Sequence, residues 1–154
     1  MVIEANGSIF NSRATTLVNP VNCVGVMGAG LAQLFKERYP ENYRYYYRQC
    51  QQGLVQTGNL CIFEDHPLTL INFPTKYHWR YPSHLDFIQT GLEQLRIYLE
   101  DRCPHSIAIP ALGCGLGELD YSDVKSLVVD SLSESYTLCY LFQPYNPSYH
   151  TQSK

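Results

Sequence analysis

Short β-branched and apolar runs alternate along this chain with segments of helical period, and that alternation restricts it to an α/β domain. The strand-like runs are Met1 to Ile3, Thr15 to Val18, Leu60 to Phe63, Thr69 to Asn72, Ser106 to Ile109 and Thr137 to Phe142. Between them, Leu31, Leu34 and Phe35 stand at i, i+3 and i+4. Leu85, Ile88, Leu92, Leu95 and Leu99 extend one apolar stripe over about four helical turns. The first helix must stop near Tyr39, because Pro40 disfavours helical backbone at the residue before it. Pro40 itself suits the first turn of a second helix carrying Tyr43, Tyr47 and Cys50, while the run Tyr45-Tyr46-Tyr47 reads as packing and surface. A last helix places Val124, Leu127 and Val128 on one face, with Asp120 or Ser122 as its cap. A length of 154 residues with 45% apolar content suits one domain over residues 1–145, and the Pro/Tyr/Asn/Ser-rich residues 146–154 read as a loosely structured tail.

Charge narrows the function classes. With 11 Lys and Arg against 14 Asp and Glu, the net charge of −3 excludes a protein whose whole surface attracts nucleic acid, and leaves room for a local basic patch. No stretch approaches the run of about 18 apolar residues that a membrane span needs. Met1-Val2-Ile3-Glu4 places an acid where a secretory signal carries Lys or Arg, so a cytoplasmic protein is expected. The six cysteines (Cys23, Cys50, Cys61, Cys103, Cys114 and Cys139) form no C-x-x-C pair and read as reduced thiols; neither zinc nor a disulfide framework is implied. No coiled-coil pattern is present, and a monomer is expected.

The informative residues fall in three loops. The first, from Val18-Asn19-Pro20-Val21-Asn22 through Gly25, Gly28, Ala29 and Gly30 to Leu31, runs from a strand into a helix. It is either a tight turn or a close approach to a ligand, with free N–H groups at the helix start suited to phosphate and with Asn19 and Asn22 able to bond sugar hydroxyls. The second, Pro110-Ala111-Leu112-Gly113-Cys114-Gly115-Leu116-Gly117, also leads from a strand towards a helix, and two such cradles suggest a diphosphate. The second loop matches neither the P-loop, which needs Lys-Ser/Thr after its last glycine, nor the dinucleotide fingerprint, which should open a βαβ unit with an acid about 20 residues later. The third loop, Asn72 to Tyr81, gathers Lys76 and Arg80 among Tyr77, His78, Trp79 and Tyr81. It is either a solvated turn with aromatics tucked against the core or a platform on which bases stack while cations meet phosphates.

Taken together, N-P-V-N-C-V-G-V-M-G-A-G-L-A and P-A-L-G-C-G-L-G-E-L-D-Y resemble the ADP-ribose-binding loops of the macrodomain family over about Gly7 to Phe142. With N-F-P-T-K-Y-H-W-R in the third loop, the chain most resembles the DarG-type class of that family, antitoxin macrodomains that remove ADP-ribose from thymidine in single-stranded DNA. The resemblance implies a three-layer α/β/α sandwich around a mixed, mostly parallel six-stranded sheet, with ADP-ribose in a cleft at the strand ends. It implies that Asn22, and Gly28 to Leu31 with Ala29 and Gly30, line the distal ribose and diphosphate. Gly113, Cys114, Gly115, Leu116 and Gly117 would wrap the diphosphate from the other side. Ser8 and Ile9 would border adenine, with Phe142 against its face. It implies no cofactor and no metal. As partners it implies ADP-ribose, ADP-ribosylated single-stranded DNA and an ADP-ribosyltransferase toxin counterpart.

Two positions depart from the family pattern. Macrodomains commonly carry Gly-Asp-Ile or Gly-Asp-Leu near the start, where this chain has Gly7-Ser8-Ile9, which implies weaker adenine selectivity. The similar terminal ADP-ribose protein glycohydrolases carry a catalytic acid where this chain has Gly117, so their two-residue mechanism does not carry over.

The resemblance puts catalysis on Lys76. Its amine either forms a Schiff base with the opened ribose, which requires a pKa below the usual value near 10.4, or acts as a cation that stabilises the leaving base. Thr75 either bonds substrate or ends its strand. Asp120 is explained by helix capping, His78 and His84 have no metal-ligand spacing, and the Cys114 thiol has no histidine close in sequence to activate it. Three functions follow: a DNA ADP-ribosyl glycohydrolase, a non-catalytic ADP-ribose reader, or a hydrolase of a small ADP-ribose derivative.

Overall fold

A computed structural model describes residues 1–144. Six strands form one sheet: β1 (Val2–Ala5), β2 (Thr16–Val21), β3 (Cys61–Asp65), β4 (Leu68–Pro74), β5 (Ser106–Ile109) and β6 (Leu138–Phe142). Four α-helices connect them: α1 (Gly30–Arg38), α2 (Pro40–Gln51), α3 (Leu85–Arg102) and α4 (Tyr121–Leu132). A short 3-10 helix at Ile9–Asn11, absent from the sequence reading, follows β1. The expected tail, residues 146–154, lies outside the described residues. Among the described residues no helix is long and apolar enough to cross a membrane.

The strand order is β1-β6-β5-β2-β4-β3, parallel throughout except for the antiparallel edge pair β3 and β4. Successive residues on each strand face opposite sides. Val18, Ile71 and Ile107 therefore meet Ile88, Leu92 and Leu95 of α3 and Val124 and Val128 of α4 in one buried cluster, while Leu17, Leu70 and Ala108 meet Phe35 of α1 in another. These clusters make the expected three layers. Asp120 caps α4, its carboxylate accepting from the Ser122 backbone N–H at 2.8 Å.

Helix faces differ in detail from the periodic reading. Leu34 of α1 is 48% exposed, and Phe35 carries the burial there. On α2 it is Tyr46, not Tyr43 or Tyr47, that is fully enclosed. Strands β2 and β4 run past their expected ends, through Pro20 and Pro74. A missing N–H is tolerated at Pro20 because the pairing of β2 with β5 stops at Leu17 and Ala108, leaving only β4 beside it. From β2 the chain crosses towards β4, and from β5 it crosses towards β6. The loops after these two neighbours thus leave in opposite directions, the place where open α/β sheets bind ligands.

Candidate active site

The first loop is built on the tyrosines of α2. Asn22 bonds within the loop: its Nδ2 donates to the Val26 carbonyl at 2.8 Å, and its Oδ1 accepts from the backbone N–H of Val24 at 3.0 Å. The Tyr46 hydroxyl lies 2.8 Å from both the carbonyl and the side-chain oxygen of Asn22. Tyr43 donates to the Gly25 carbonyl at 3.1 Å, and a Cβ on Gly25, which has φ +84°, would meet the Tyr47 ring at 3.1 Å. Tyr43, Tyr46 and Tyr47 are thus the floor under this loop, while Tyr45 packs on Phe63. Gly28, Ala29 and Gly30 are exposed, Leu31 is half-buried, and α1 starts at Ala29 with no side-chain cap. Its first-turn N–H groups are left to solvent or to an anion.

Asn19 does not sit at this surface. It is fully buried, and its Nδ2 donates to the Asn72 side-chain oxygen at 3.1 Å. Asn72 in turn donates to Asn42 of α2 at 2.8 Å and to the Cys61 carbonyl at 3.0 Å. The expectation that Asn19 faces a sugar is therefore corrected, because its amide ties β2 to β4 beneath the loops. Asn22, 6% exposed and already bonded inside its own loop, shapes the glycine turn.

The second loop follows β5. Gly113, with φ +73°, and Gly117 are buried, Cys114 is half-buried, and Gly115 and Leu116 are exposed. Burial pushes the Cys114 thiol up to about 11, with the Asp120 carboxylate adding to the rise, so it carries little thiolate at neutral pH. The departure at Gly117 has a steric cause: a Cβ there would lie 2.4 Å from the Ser83 Oγ and 2.5 Å from the Gly113 carbonyl oxygen. Glu118 follows at φ +67°, a left-handed backbone that a side chain rarely adopts.

The third loop hangs between the other two. The buried Thr75 donates its backbone N–H to the Val21 carbonyl at 2.9 Å, and the Cys23 N–H donates to the Tyr77 carbonyl at 2.8 Å. Lys76 is half-buried, its Nζ 3.4 Å from the Trp79 carbonyl. Desolvation holds its pKa below the usual lysine value, and the Glu118 charge opposes that fall. Beyond it Tyr77, Trp79, Arg80 and Tyr81 are exposed. His78 stacks on Trp79 at 5.1 Å, Tyr81 lies 5.4 Å from His78, and the Arg80 guanidinium sits 4.7 Å above the Trp79 ring. These rings do not tuck into the core, which removes that part of the bland reading. Tyr81, Ser83 and Glu118 join the site without having been singled out as site residues from sequence. Only Tyr81 carried a signal there, as one more ring in the aromatic loop.

At the end of β1, Ser8 caps the short helix by accepting from the Phe10 N–H at 3.2 Å. Ile9 and Phe142 are 4% and 7% exposed and share a core cluster with Leu17 and Phe35. Phe142 therefore offers little ring face to a base, a correction to its expected place against adenine. Among the described residues no group of three or more His, Cys, Asp or Glu is placed to hold a metal ion.

Comparison with known proteins bears on this geometry. The Macro domain family model matches residues 18–128. A curated DNA ADP-ribosyl glycohydrolase of Mycobacterium tuberculosis is 41% identical over 138 residues, covering 87% of this chain and 39% of the relative. The solved macrodomain of Mycobacterium tuberculosis DarG is 38% identical with a TM-score of 0.90, covering 94% of this chain and 99% of that one. Thermosipho africanus DarTG, solved in complex with ADP-ribose, is 32% identical with a TM-score of 0.86, covering 90% of this chain and 40% of that one. The chain spans about two fifths of the length of the curated relatives it matches.

Proposed function

The chain belongs to the macrodomain family, and on that premise we propose that it is an ADP-ribosyl glycohydrolase that removes ADP-ribose from thymidine in single-stranded DNA. The observation that carries the reading is the position of Lys76, half-buried on a span hung between two glycine loops and flanked by an exposed aromatic and basic surface. In this reading the two loops hold the diphosphate and the distal ribose. The bond between the anomeric carbon and the base then lies within reach of the Lys76 amine. Desolvation favours the neutral amine, which attacks the anomeric carbon as the bond to the base breaks and the base takes a proton. The ring carbon–oxygen bond of the resulting glycosylamine then opens, the ring oxygen taking the remaining amine proton, and water hydrolyses the imine so formed, returning the amine and releasing ADP-ribose.

Tyr77, His78, Trp79 and Arg80 receive the neighbouring nucleotides, rings against bases and the guanidinium against phosphate. The similarity to proteins named DNA ADP-ribosyl glycohydrolase supports this substrate class, and the likeness to the ADP-ribose complex supports the ligand. The protein would act as a cytoplasmic monomer opposite a DNA ADP-ribosyltransferase.

Trp79→Ala tests the platform. Its KM for a thymidine-ADP-ribosylated oligonucleotide should rise about tenfold, matching roughly 1–3 kcal/mol for one stacked base, while the Kd for free ADP-ribose stays within about twofold. Equal losses for both ligands would remove Trp79 from substrate binding. Turnover of ADP-ribose 1''-phosphate by the unaltered protein with none of the oligonucleotide would instead favour a small-molecule hydrolase.

A further inference from the structure

Beside the second loop lies one buried hydroxyl with nothing to bond. Ser83 ends the segment that starts at Lys76, directly before His84 at the start of α3. It is 4% exposed, and its Oγ has no hydrogen-bond partner. Its backbone N–H donates to the Gly117 carbonyl at 3.0 Å. Its side chain fills the space that side chains of the glycine loop would otherwise take. A Cβ on Gly117 would lie 2.4 Å from the Ser83 Oγ and 2.9 Å from its Cβ, and a Cβ on Gly113 would lie 3.1 Å from that same Cβ.

A buried polar group left unpaired costs stability, so its presence in a folded chain asks for a reason. Here the reason is shape: the side chain acts as a wedge keyed into two glycines. The other end of the Lys76 segment is tied to the first loop through Thr75 to Val21 and Cys23 to Tyr77. Lys76 therefore rides on a span tied at one end to the first loop by two backbone hydrogen bonds and at the other to the second loop by one.

We propose that Ser83 is a positioning residue, a wedge that locks the Lys76 segment to the Gly113–Gly117 loop so that filling the loop with a diphosphate sets the place of the lysine. This rests on the glycohydrolase reading above. Ser83 itself touches no reacting atom. It acts through the lysine, and a misplacement of about 1 Å at such a group costs up to about a hundredfold in rate.

Two variants separate this from a merely structural role. Ser83→Gly empties the wedge, whereas Ser83→Ala keeps the Cβ that meets Gly113 and Gly117. Ser83→Gly should lose about tenfold to a hundredfold in single-turnover release of ADP-ribose from the modified oligonucleotide. Its Kd for free ADP-ribose should stay within about threefold, and Ser83→Ala, which loses the Oγ and keeps the Cβ, should fall between Ser83→Gly and the unaltered protein in rate with the same Kd. Hydrogen exchange supplies the second readout. Free ADP-ribose should slow exchange in residues 76–83 of the unaltered protein, and in Ser83→Gly it should slow exchange in the two glycine loops while leaving 76–83 unprotected.

Ser83→Gly at full rate with exchange in 76–83 still slowed by ligand overturns the wedge and leaves the glycohydrolase reading standing. Parallel loss of binding and turnover in both variants also overturns it, because that is general weakening of the fold. An unaltered protein that binds ADP-ribose but releases none from the oligonucleotide overturns the glycohydrolase reading and the proposal with it.

Discussion

Lys76 lies under two opposed influences, desolvation that drives its proton off and the Glu118 carboxylate that holds it on. If the neutral amine does the chemistry, the rate climbs as pH rises through the Lys76 pKa and levels above it. In Glu118→Gln the opposing charge is gone, the pKa falls further, and the climb should move to lower pH. A pH profile of single-turnover rate checks this, and a rate that falls as pH rises through that region would assign the lysine the cationic role. The lysine was legible in the sequence only through the residues around it, because a lone loop lysine carries no mark of burial. Glu118 and Ser83 left no such signal. A left-handed φ and the closeness of residues more than thirty positions apart are properties of the folded loops, not of any local pattern.

The elements were legible where hydrophobic period speaks. The stripe read from Leu85 to Leu99 is buried at Ile88, Leu92, Leu95 and Leu99 and exposed at Leu85 in the first turn of α3, and β5 begins and ends where its apolar run does. Tyr43, Tyr46 and Tyr47 stand at i, i+3 and i+4 and share one face of α2, but that this face is the floor of the first loop emerged only from the fold. Likewise, β2 and β4 run past their expected ends: Pro20 lies in β2 where the departure of β5 spares it an N–H, and Pro74 is the last residue of β4, beyond the β3 pairing that starts at Cys61 and Asn72. Helix α3 packs its Gly91 directly on the Phe73 ring of β4. A Cβ on its Gly91 would lie 2.3 Å from the Phe73 Cζ and 2.6 Å from its Cε1, with the ring fully buried. Gly91→Ala should therefore lower stability by about 1–3 kcal/mol, seen as an earlier urea midpoint at unchanged slope. A shift within about 0.5 kcal/mol would mean that the ring moves aside freely. Phe73 sits three residues before Lys76, so a displaced ring should also slow turnover.

At the scale of the molecule, a net charge of −3 and a positive platform confined to one loop set how a nucleic acid can bind. Lys76, as the neutral nucleophile, offers no charge to the strand, so Arg80 supplies a contact to about one phosphate. At about 0.7 per single-strand contact, the slope of log K against log salt should lie near −0.7. A slope steeper than about −4 would demand a basic surface that the charge balance does not supply. Affinity must then come from the ADP-ribose group in the glycine loops, with the strand adding stacking. The fold brings these parts together at the C-terminal ends of the strands, where the chain leaves the central β2 and β5 in opposite directions. The most direct measurement of this account is release of free ADP-ribose from a thymidine-ADP-ribosylated single-stranded oligonucleotide, by the unaltered protein and by Lys76→Ala. Release by the first and a loss of at least about a thousandfold in the second, with ADP-ribose binding kept, is the expected result. Equal release by both would contradict a catalytic Lys76, and no release by either, with ADP-ribose still bound, would make this macrodomain a reader.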